Sequence, residues 1–396
     1  MDLKPNPSAP RIALLTDTFI LGGGLQHIRM IVRNFPEVQF GVFADGGSET
    51  CPFDNLPNVA VFTQGYGVGE LEAFRPDLIH VHHLRPLLSL LKNPLRALSA
   101  PLLFTVHGLH IHQYDFLKGW GNRFKHLLRY NLERHLFARA NRVIAVSRED
   151  QAFLENRYRL RAVACVPNGI DYRQLQRRGN GPSVSRKSLG ISEAQHLFLT
   201  VARFPFQKAH DILLTAIGKV QRSLRDHRAC FVLIGDGFYF EAMKNLARDL
   251  GIEDLVHFLG RRTDVPAFMR ISDTFVLPSR WEGFPITLLE AVGCGLPVIA
   301  SDTYGNREII RNGESGLLFE NENPETLANA LITALESKSR MSEMAGVAYQ
   351  RVTTEYTEEN MIEGLRACYA DYINLPPKAA LPHPRKNQVS KSASMV

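Results

Sequence analysis

Two glutamates eight positions apart, Glu282 and Glu290, frame the segment Glu282-Gly283-Phe284-Pro285-Ile286-Thr287-Leu288-Leu289-Glu290. An apolar run, Thr274–Leu277, and the loop Pro278-Ser279-Arg280-Trp281 precede it. Glu282 therefore falls in a loop and Glu290 one or two turns into a helix. One carboxylate can reach a reacting group while the other reaches a remote part of the same ligand. Gly283, Phe284 and the amides that follow stand at a helix N-terminus, where N–H groups and the helix dipole favour a phosphate. Taken alone, the pair reads as a capping acid and a surface helix residue. A second constellation lies at Val201-Ala202-Arg203-Phe204-Pro205-Phe206-Gln207-Lys208. It puts Arg203 and Lys208 at a strand's carboxyl end, able to flank a diphosphate by fork and point charge. Their plainer reading is solvated loop charge.

Histidines gather in two clusters, His80, His82 and His83, then His107, His110 and His112. A metal site is one reading, but no Cys or carboxylate joins them at ligand spacing. The expectation is no metal: one or two histidines face a cleft and the rest are loop residues. The stretch 118–142 carries seven Lys or Arg against one acid, Glu133. Trp120, Phe124, Leu127, Leu128, Leu132 and Leu136 recur there at near-helical spacing. Either this is a basic amphipathic helix that docks on anionic lipid, or a domain helix with its apolar face on a sheet. No aromatic-interleaved motif points to nucleic acid.

The elements that position these residues follow a βαβ pattern. Strand-like runs at Arg11–Thr16, Phe40–Phe43, Val59–Phe62, Leu78–Val81, Leu102–Val106, Arg142–Val146 and Ala162–Val166 fill the first half. The loop Leu21-Gly22-Gly23-Gly24 leads into a helix from Leu25 to about Asn34. A linker rich in Arg, Gly, Asn, Pro and Ser lies near 177–185. The pattern then restarts at Leu197–Val201, Cys230–Ile234, Val256–Phe258, Thr274–Leu277, Pro297–Ala300 and Gly316–Leu318. The fold class is α/β: two Rossmann-like α/β/α domains facing each other across a cleft, with ligands beyond the carboxyl ends of parallel strands. The expected boundaries are 1–180, 181–355, a terminal helix over 356–375 and a disordered tail over 376–396, which has no acid and is rich in proline.

The chain has 396 residues, 45% hydrophobic and 22% charged, which excludes a fibrous, a mostly disordered or a disulfide-framework protein. Residues 1–180 hold 22 basic and 15 acidic side chains, and 181–396 hold 24 and 25, so the whole positive excess lies in the first half, which should face something anionic. Five separated cysteines fit a reduced, cytosolic chain. No signal-peptide h-region and no stretch of ~18 apolar residues is present. The expectation is a cytoplasmic protein able to lie on the inner membrane face.

Eight motifs in order resemble glycosyltransferase family 4 with the GT-B fold. They are Gly22-Gly23-Gly24, Thr105-Val106-His107-Gly108, Ala145-Val146-Ser147, Val166-Pro167-Asn168-Gly169-Ile170-Asp171, the Arg203-x4-Lys208 pair, Ile234-Gly235-Asp236-Gly237, Val256-His257-Phe258-Leu259-Gly260 and Glu282-x7-Glu290. Residues 305–318 also fit the stretch after the last motif, so the resemblance covers about 11–375. It implies a retaining transfer from a nucleoside-diphosphate sugar, UDP- or GDP-linked, with no further cofactor. Arg203 and Lys208 resemble the pair that neutralises the donor diphosphate, Glu290 the carboxylate on the ribose, and Glu282 the one near the reacting carbon. Glycines 22–24 resemble the loop that approaches the diphosphate from the other domain, and His107 the cleft histidine. Asn168, Gly235 and residues 283–287 (Gly283, Phe284, Pro285, Ile286 and Thr287) complete the implied binding set. Ala202 and Pro285 depart from the commonest family residues without removing a functional group. The implied acceptor is a glycan or lipid-linked saccharide on the first domain. Rival readings are a GT-B enzyme with a small soluble acceptor, a non-catalytic sugar-nucleotide subunit, and a nicotinamide oxidoreductase. The last lacks the G-x-G-x-x-G fingerprint.

Overall fold

The computed structural model describes residues 9–19, 22–46, 53, 56–63, 65–66, 68–92, 99–179 and 184–376. The tail beyond 376 and residues 180–183 of the expected linker lie outside the described residues.

Short apolar runs form two parallel sheets. The first contains β1 (Arg11–Leu15), β2 (Gln39–Phe43), β3 (Val59–Phe62), β4 (Leu78–Val81), β5 (Leu102–Val106), β6 (Arg142–Ala145) and β7 (Val163–Cys165), in the order β3-β2-β1-β4-β5-β6-β7. The second contains β8 (His196–Val201), β9 (Ala229–Ile234), β10 (Val256–Phe258), β11 (Thr274–Leu277), β12 (Val298–Ser301) and β13 (Leu317–Phe319), in the order β10-β9-β8-β11-β12-β13. Strands β4, β5, β8, β9 and β11 are buried along their whole length, as parallel strands covered on both faces must be. The strand order reverses at β1/β4 and at β8/β11, the two switch points where open α/β sheets leave a crevice.

Observed strands lie within one or two residues of the expected ones. The helix after the glycines starts at Gly23 rather than Leu25, because the Gly22 carbonyl already accepts from the Gln26 amide.

The last helix, Glu358–Ala370, packs on the first domain. Met361, Ile362, Leu365, Cys368 and Tyr369 join the core formed by Ile28, Ile31, Phe35 and Phe40. The Glu358 carboxylate takes two bonds from Arg33 at 2.6 and 2.7 Å, and Arg366 pairs with Glu37. The backbone of Ile170 also bonds Tyr356 and Glu358 at 3.1 Å each. A Cβ on Gly169 would lie 1.9 Å from the Thr357 carbonyl, so only glycine lets the two segments pass there.

The apolar stripe of the helix Trp120–Phe137 divides along the helix. Glu133, Leu136 and Phe137 are buried, but Trp120 is 87% exposed, Phe124 62%, Leu127 59% and Leu128 54%. Most of the apolar face is therefore uncovered, and only its last turn enters the first domain's core, where Phe137 stacks on Phe104. What anchors the helix is its last turns: Glu133 pairs with Arg129 and accepts from the Tyr158 hydroxyl at 2.7 Å. Among the described residues no helix is long and apolar enough to cross a membrane.

Candidate active site

The loops after β8 and β11 meet through charge. Lys208 Nζ donates to Glu282 Oε1 at 2.5 Å, and the Ser279 hydroxyl donates to the same oxygen at 2.6 Å. Ser279 is fully buried and Glu282 nearly so. The Ser279 carbonyl accepts from Ser301 Oγ at 2.5 Å, and Asn306 holds Ser301 at 3.0 Å. Buried polar groups linked from β12 to the carboxylate fix its position.

Arg280 braces the neighbouring loop. Its guanidinium, 5% exposed, donates to both Asp211 oxygens at 2.6 and 3.1 Å and to the Phe206 carbonyl at 2.6 Å. It also pairs with Glu322 and covers the Phe206 ring at 3.9 Å. Because 206–208 is thereby pinned, the exposed Arg203 and the part-buried Lys208 are presented from a rigid turn. Gly235, at φ +143°, lets the loop after β9 cross that after β8: a Cβ there would lie 1.9 Å from the Ala202 carbonyl.

The helix Ile286–Gly293 begins at the end of the Glu282 loop with Pro285 as N-cap. Phe284 and Ile286 enter the second domain's core, whereas Thr287 is half-buried. Glu290 stands on the fifth residue of the helix, half-buried. Burial, followed by the Glu290 charge, pushes the Cys294 thiol up to about 12.

The first domain closes on this loop. The His107 carbonyl and the Gly108 backbone would lie 2.6 to 2.8 Å from a Cβ on Gly283, so the two chains touch backbone to backbone. Asn168 bridges the domains, its Nδ2 donating to the Phe284 carbonyl at 2.7 Å and its Oδ1 meeting His27 Nδ1 at 3.0 Å. Gly23 lies 3.8 Å from the Ile286 side chain by the same measure, and the space over Gly22 is open. Phe116 stacks on Trp281 at 5.8 Å and His112 tilts against Tyr304 at 5.0 Å. Between these two contacts the cleft holds a cavity of about 190 Å³.

Histidines line the first domain's side. His82 Nδ1 lies 3.1 Å from His107 Nε2, and His27 packs edge-on to both rings. Burial holds His82 and His107 well below the ordinary imidazole range and pushes His27 down to about 4. His83 is lowered chiefly by burial. Asp17 opposes this, and Arg203 of the other domain adds to it across the cleft.

The sequence-expected residues thus fall in two groups. His107, Asn168, Gly23, Gly283, Phe284 and Ile286 meet at the domain contact, with Lys208 and Glu282 joined beside it. Arg203, Glu290 and Gly235 stand on the second domain, the Arg203 charge acting on His83 across the cleft. Three residues passed over in the sequence are Ser279, Arg280 and His27. The spacing Ser279-x-x-Glu282, a hydroxyl one turn before a loop carboxylate, was a usable signal for the first. His27 and the Arg280 pairs become visible only with tertiary contact.

Two family models cover most of the chain: residues 28–174 match "Glycosyltransferase Family 4" and residues 183–351 match "Glycosyl transferases group 1". The chain is 28% identical over 212 residues to a UDP-Gal:alpha-D-GlcNAc-diphosphoundecaprenol alpha-1,3-galactosyltransferase of Escherichia coli, covering 53% of this chain and only 54% of that enzyme. It is 26% identical over 299 residues to N-acetyl-alpha-D-glucosaminyl L-malate synthase of Bacillus anthracis, covering 75% of each. Among solved structures, sucrose-phosphate synthase of Thermosynechococcus elongatus superposes with TM-score 0.77 at 18% identity, covering 91% of this chain and 98% of that one. Anabaena HepE, solved with UDP and glucose, gives 0.74 at 22%, covering 91% and 100%. These two likenesses establish the fold. With both domains matched, the chain is a glycosyltransferase of the GT-B fold, its first half of the Family 4 type and its second of group 1.

Proposed function

We propose that this chain is a retaining glycosyltransferase that moves a sugar from a UDP- or GDP-linked donor to a glycan or lipid-linked saccharide. The observation that carries the reading is the Lys208–Glu282–Ser279 cluster beside the backbone contact of Gly283 with His107. A donor lying there has its diphosphate between Arg203, Lys208 and the helix N-terminus at Ile286, and its sugar against Glu282 and His107. Glu290 takes the ribose hydroxyls, and glycines 22–24 approach the diphosphate from the opposite side.

In a front-face transfer the acceptor oxygen bonds the anomeric carbon on the side from which the phosphate oxygen leaves. The acceptor proton passes to that leaving oxygen. No protein nucleophile is needed, and the chain supplies position and positive charge. Arg203 and Lys208 give that charge without a metal cofactor. Glu282, already bonded to Lys208, is better placed to orient sugar hydroxyls than to attack carbon.

Relatives are named for lipid-linked and for small acceptors alike. The exposed apolar and basic helix Trp120–Phe137 favours the lipid-linked class. It gives the first domain a face suited to an anionic cytoplasmic membrane.

Calorimetric titration with UDP, GDP and ADP, with NAD as control, tests the donor site. One nucleoside diphosphate should bind, and Arg203→Ala and Glu290→Ala should each weaken it by ~10–100-fold, the cost of one charged or hydrogen-bonded contact. Binding of NAD alone, or a nucleotide affinity unmoved in both variants, would overturn the assignment.

A further inference from the structure

The histidines on the first domain's side of the cleft are not equally satisfied. His80 Nδ1 meets the Tyr369 hydroxyl at 2.7 Å and its Nε2 meets the Thr105 hydroxyl at 2.6 Å. His83 Nδ1 lies 3.0 Å from the Thr16 hydroxyl. His27, His82 and His107 differ, for each offers a ring nitrogen within 4.8 Å of the other two. Asn168 uses its amide N–H on the Phe284 carbonyl, so its Oδ1 accepts and His27 Nδ1 donates. The lone pair of His27 therefore sits on Nε2, which is buried without a partner. The Nε2 of His82 is also buried without a partner. These side chains are 1% and 2% exposed, so neither unpaired nitrogen is met by bulk water. Leaving such groups unpaired is costly.

We infer that His27, His82 and His107 form a binding site for a borderline divalent cation of the Zn2+ type, and that its occupancy switches the transferase off. The inhibitory half rests on the role proposed above for His107 against the donor sugar. A set made only of imidazoles suits Zn2+, whereas Mg2+ and Ca2+ seek oxygen ligands. Tetrahedral Zn2+ with bonds of ~2.0–2.1 Å separates its ligand atoms by about 3.3–3.4 Å. One ligand nitrogen from each of the three rings already lies within 4.8 Å of the other two, close enough for an ion to draw them to that edge. Asn168 supplies the outer hydrogen bond that orients a metal-bound imidazole. The half-buried His107 faces the cleft, which gives the ion an entry path and leaves the fourth position to water. With its imidazole on the metal, His107 is withdrawn from the donor, so the ion acts as an inhibitor and not as a cofactor.

The test uses the full chain, free of any affinity tag, at neutral pH. Zn2+ is titrated against a chromophoric chelator, and Co2+ is followed by its visible ligand-field absorption. One ion per chain should bind at roughly micromolar affinity or tighter, with the strong visible band of a tetrahedral Co2+ centre. His27→Ala should lose at least ~100-fold in affinity, and Asn168→Ala ~10–100-fold. If His27→Ala misfolds by circular dichroism, His27→Gln keeps a neutral polar side chain and carries the same expectation. No binding below about 100 μM, or equal binding in the His27 variant, would overturn the site. Neither readout depends on transfer, so their failure is separable from failure of the glycosyltransfer reading. Zn2+ should also stop transfer, with recovery on chelation. A bound ion that leaves turnover unchanged would overturn the inhibitory half and the placement of His107 against the donor.

Discussion

At the carboxyl ends of its strands the second domain holds charge in fixed pairs, Lys208 with Glu282 and Arg280 with Asp211. At the same ends of its own sheet the first domain holds glycines and neutral, desolvated histidines. The outer surfaces differ in the opposite sense. Among the described residues, most of the exposed large apolar side chains lie in the first domain, along 117–132, whereas the second shows a few scattered ones such as Phe238 and Tyr304. The charged half is held in order by bonds within itself. On the reading proposed above, the other half adds the backbone of glycines 22–24 and the His107 imidazole once it is pressed against the charged loop. Its own distinct chemistry faces outward. On the same reading, most of the donor's contacts belong to one domain, and turnover depends on the contact between two.

Gly283→Ala breaks this division most sharply. A Cβ there would lie 2.6 Å from the His107 carbonyl and 2.8 Å from the Gly108 backbone, and backbone cannot yield as a side-chain tip does. Lys208, Glu282 and Arg203 keep their places while the opposing face moves back. Displacement of about 1 Å costs ~100-fold in a positioned reaction. Steady-state turnover should fall by that factor or more, while the dissociation constant for the nucleoside diphosphate stays within a few-fold. Turnover close to wild type would mean that the faces need not touch when the sugar moves.

A smaller effect is expected on the outer face of the first domain. Leu127 and Leu128 are more than half exposed, so Leu127→Glu with Leu128→Glu should leave the melting temperature nearly unchanged. Burying one leucine side chain in lipid is worth ~1.5–3 kcal/mol. Sedimentation with vesicles containing phosphatidylglycerol should show at least a tenfold loss for the double variant. Raised salt should weaken the wild type further by screening its basic residues. Equal binding of both proteins would remove the membrane from the account and favour a small soluble acceptor.

These contrasts were unequally legible in the sequence. The strands were, because β8, β9 and β11 are short, mostly apolar runs that suit a doubly covered sheet. The Glu282 loop was, because a carboxylate before glycine and an apolar helix is a local pattern. The direction of the apolar stripe over 118–142 was not. Periodicity shows that a stripe exists, but its exposure is set by burial of Glu133, Leu136 and Phe137 at the far end. His27 was invisible for a related reason. A single histidine in a helix gains meaning only when β4, β5 and the loop after β7 bring His82, His107 and Asn168 to it.

The smallest expected effect concerns the seam itself. Asp150 is buried in the first turn of the helix Arg148–Asn156, and that helix packs on the helix Tyr304–Ile309 of the second domain. The Glu308 carboxylate reaches across to accept from the Glu149 amide at 2.9 Å. Burial pushes the Asp150 carboxyl up to about 7. His112 and the Ser147 hydrogen bond pull it down, and Glu308 and Glu149 push it further up. A raised acid binds its proton more tightly folded than unfolded. Its favourable contribution is therefore whole below about pH 4 and lost as pH climbs from there to about 7. Above that range the folded chain carries a desolvated charge that Asp150→Asn lacks. The variant should gain up to a few degrees in melting temperature at pH 8, and the gain should shrink steadily toward pH 5. The full shift caps the effect at about 4 kcal/mol, and relaxation of the seam will return less. Loss of stability at pH 8 would instead mean that the ionised carboxylate is held there by His112, so that charge does cross into the first domain's side of the seam.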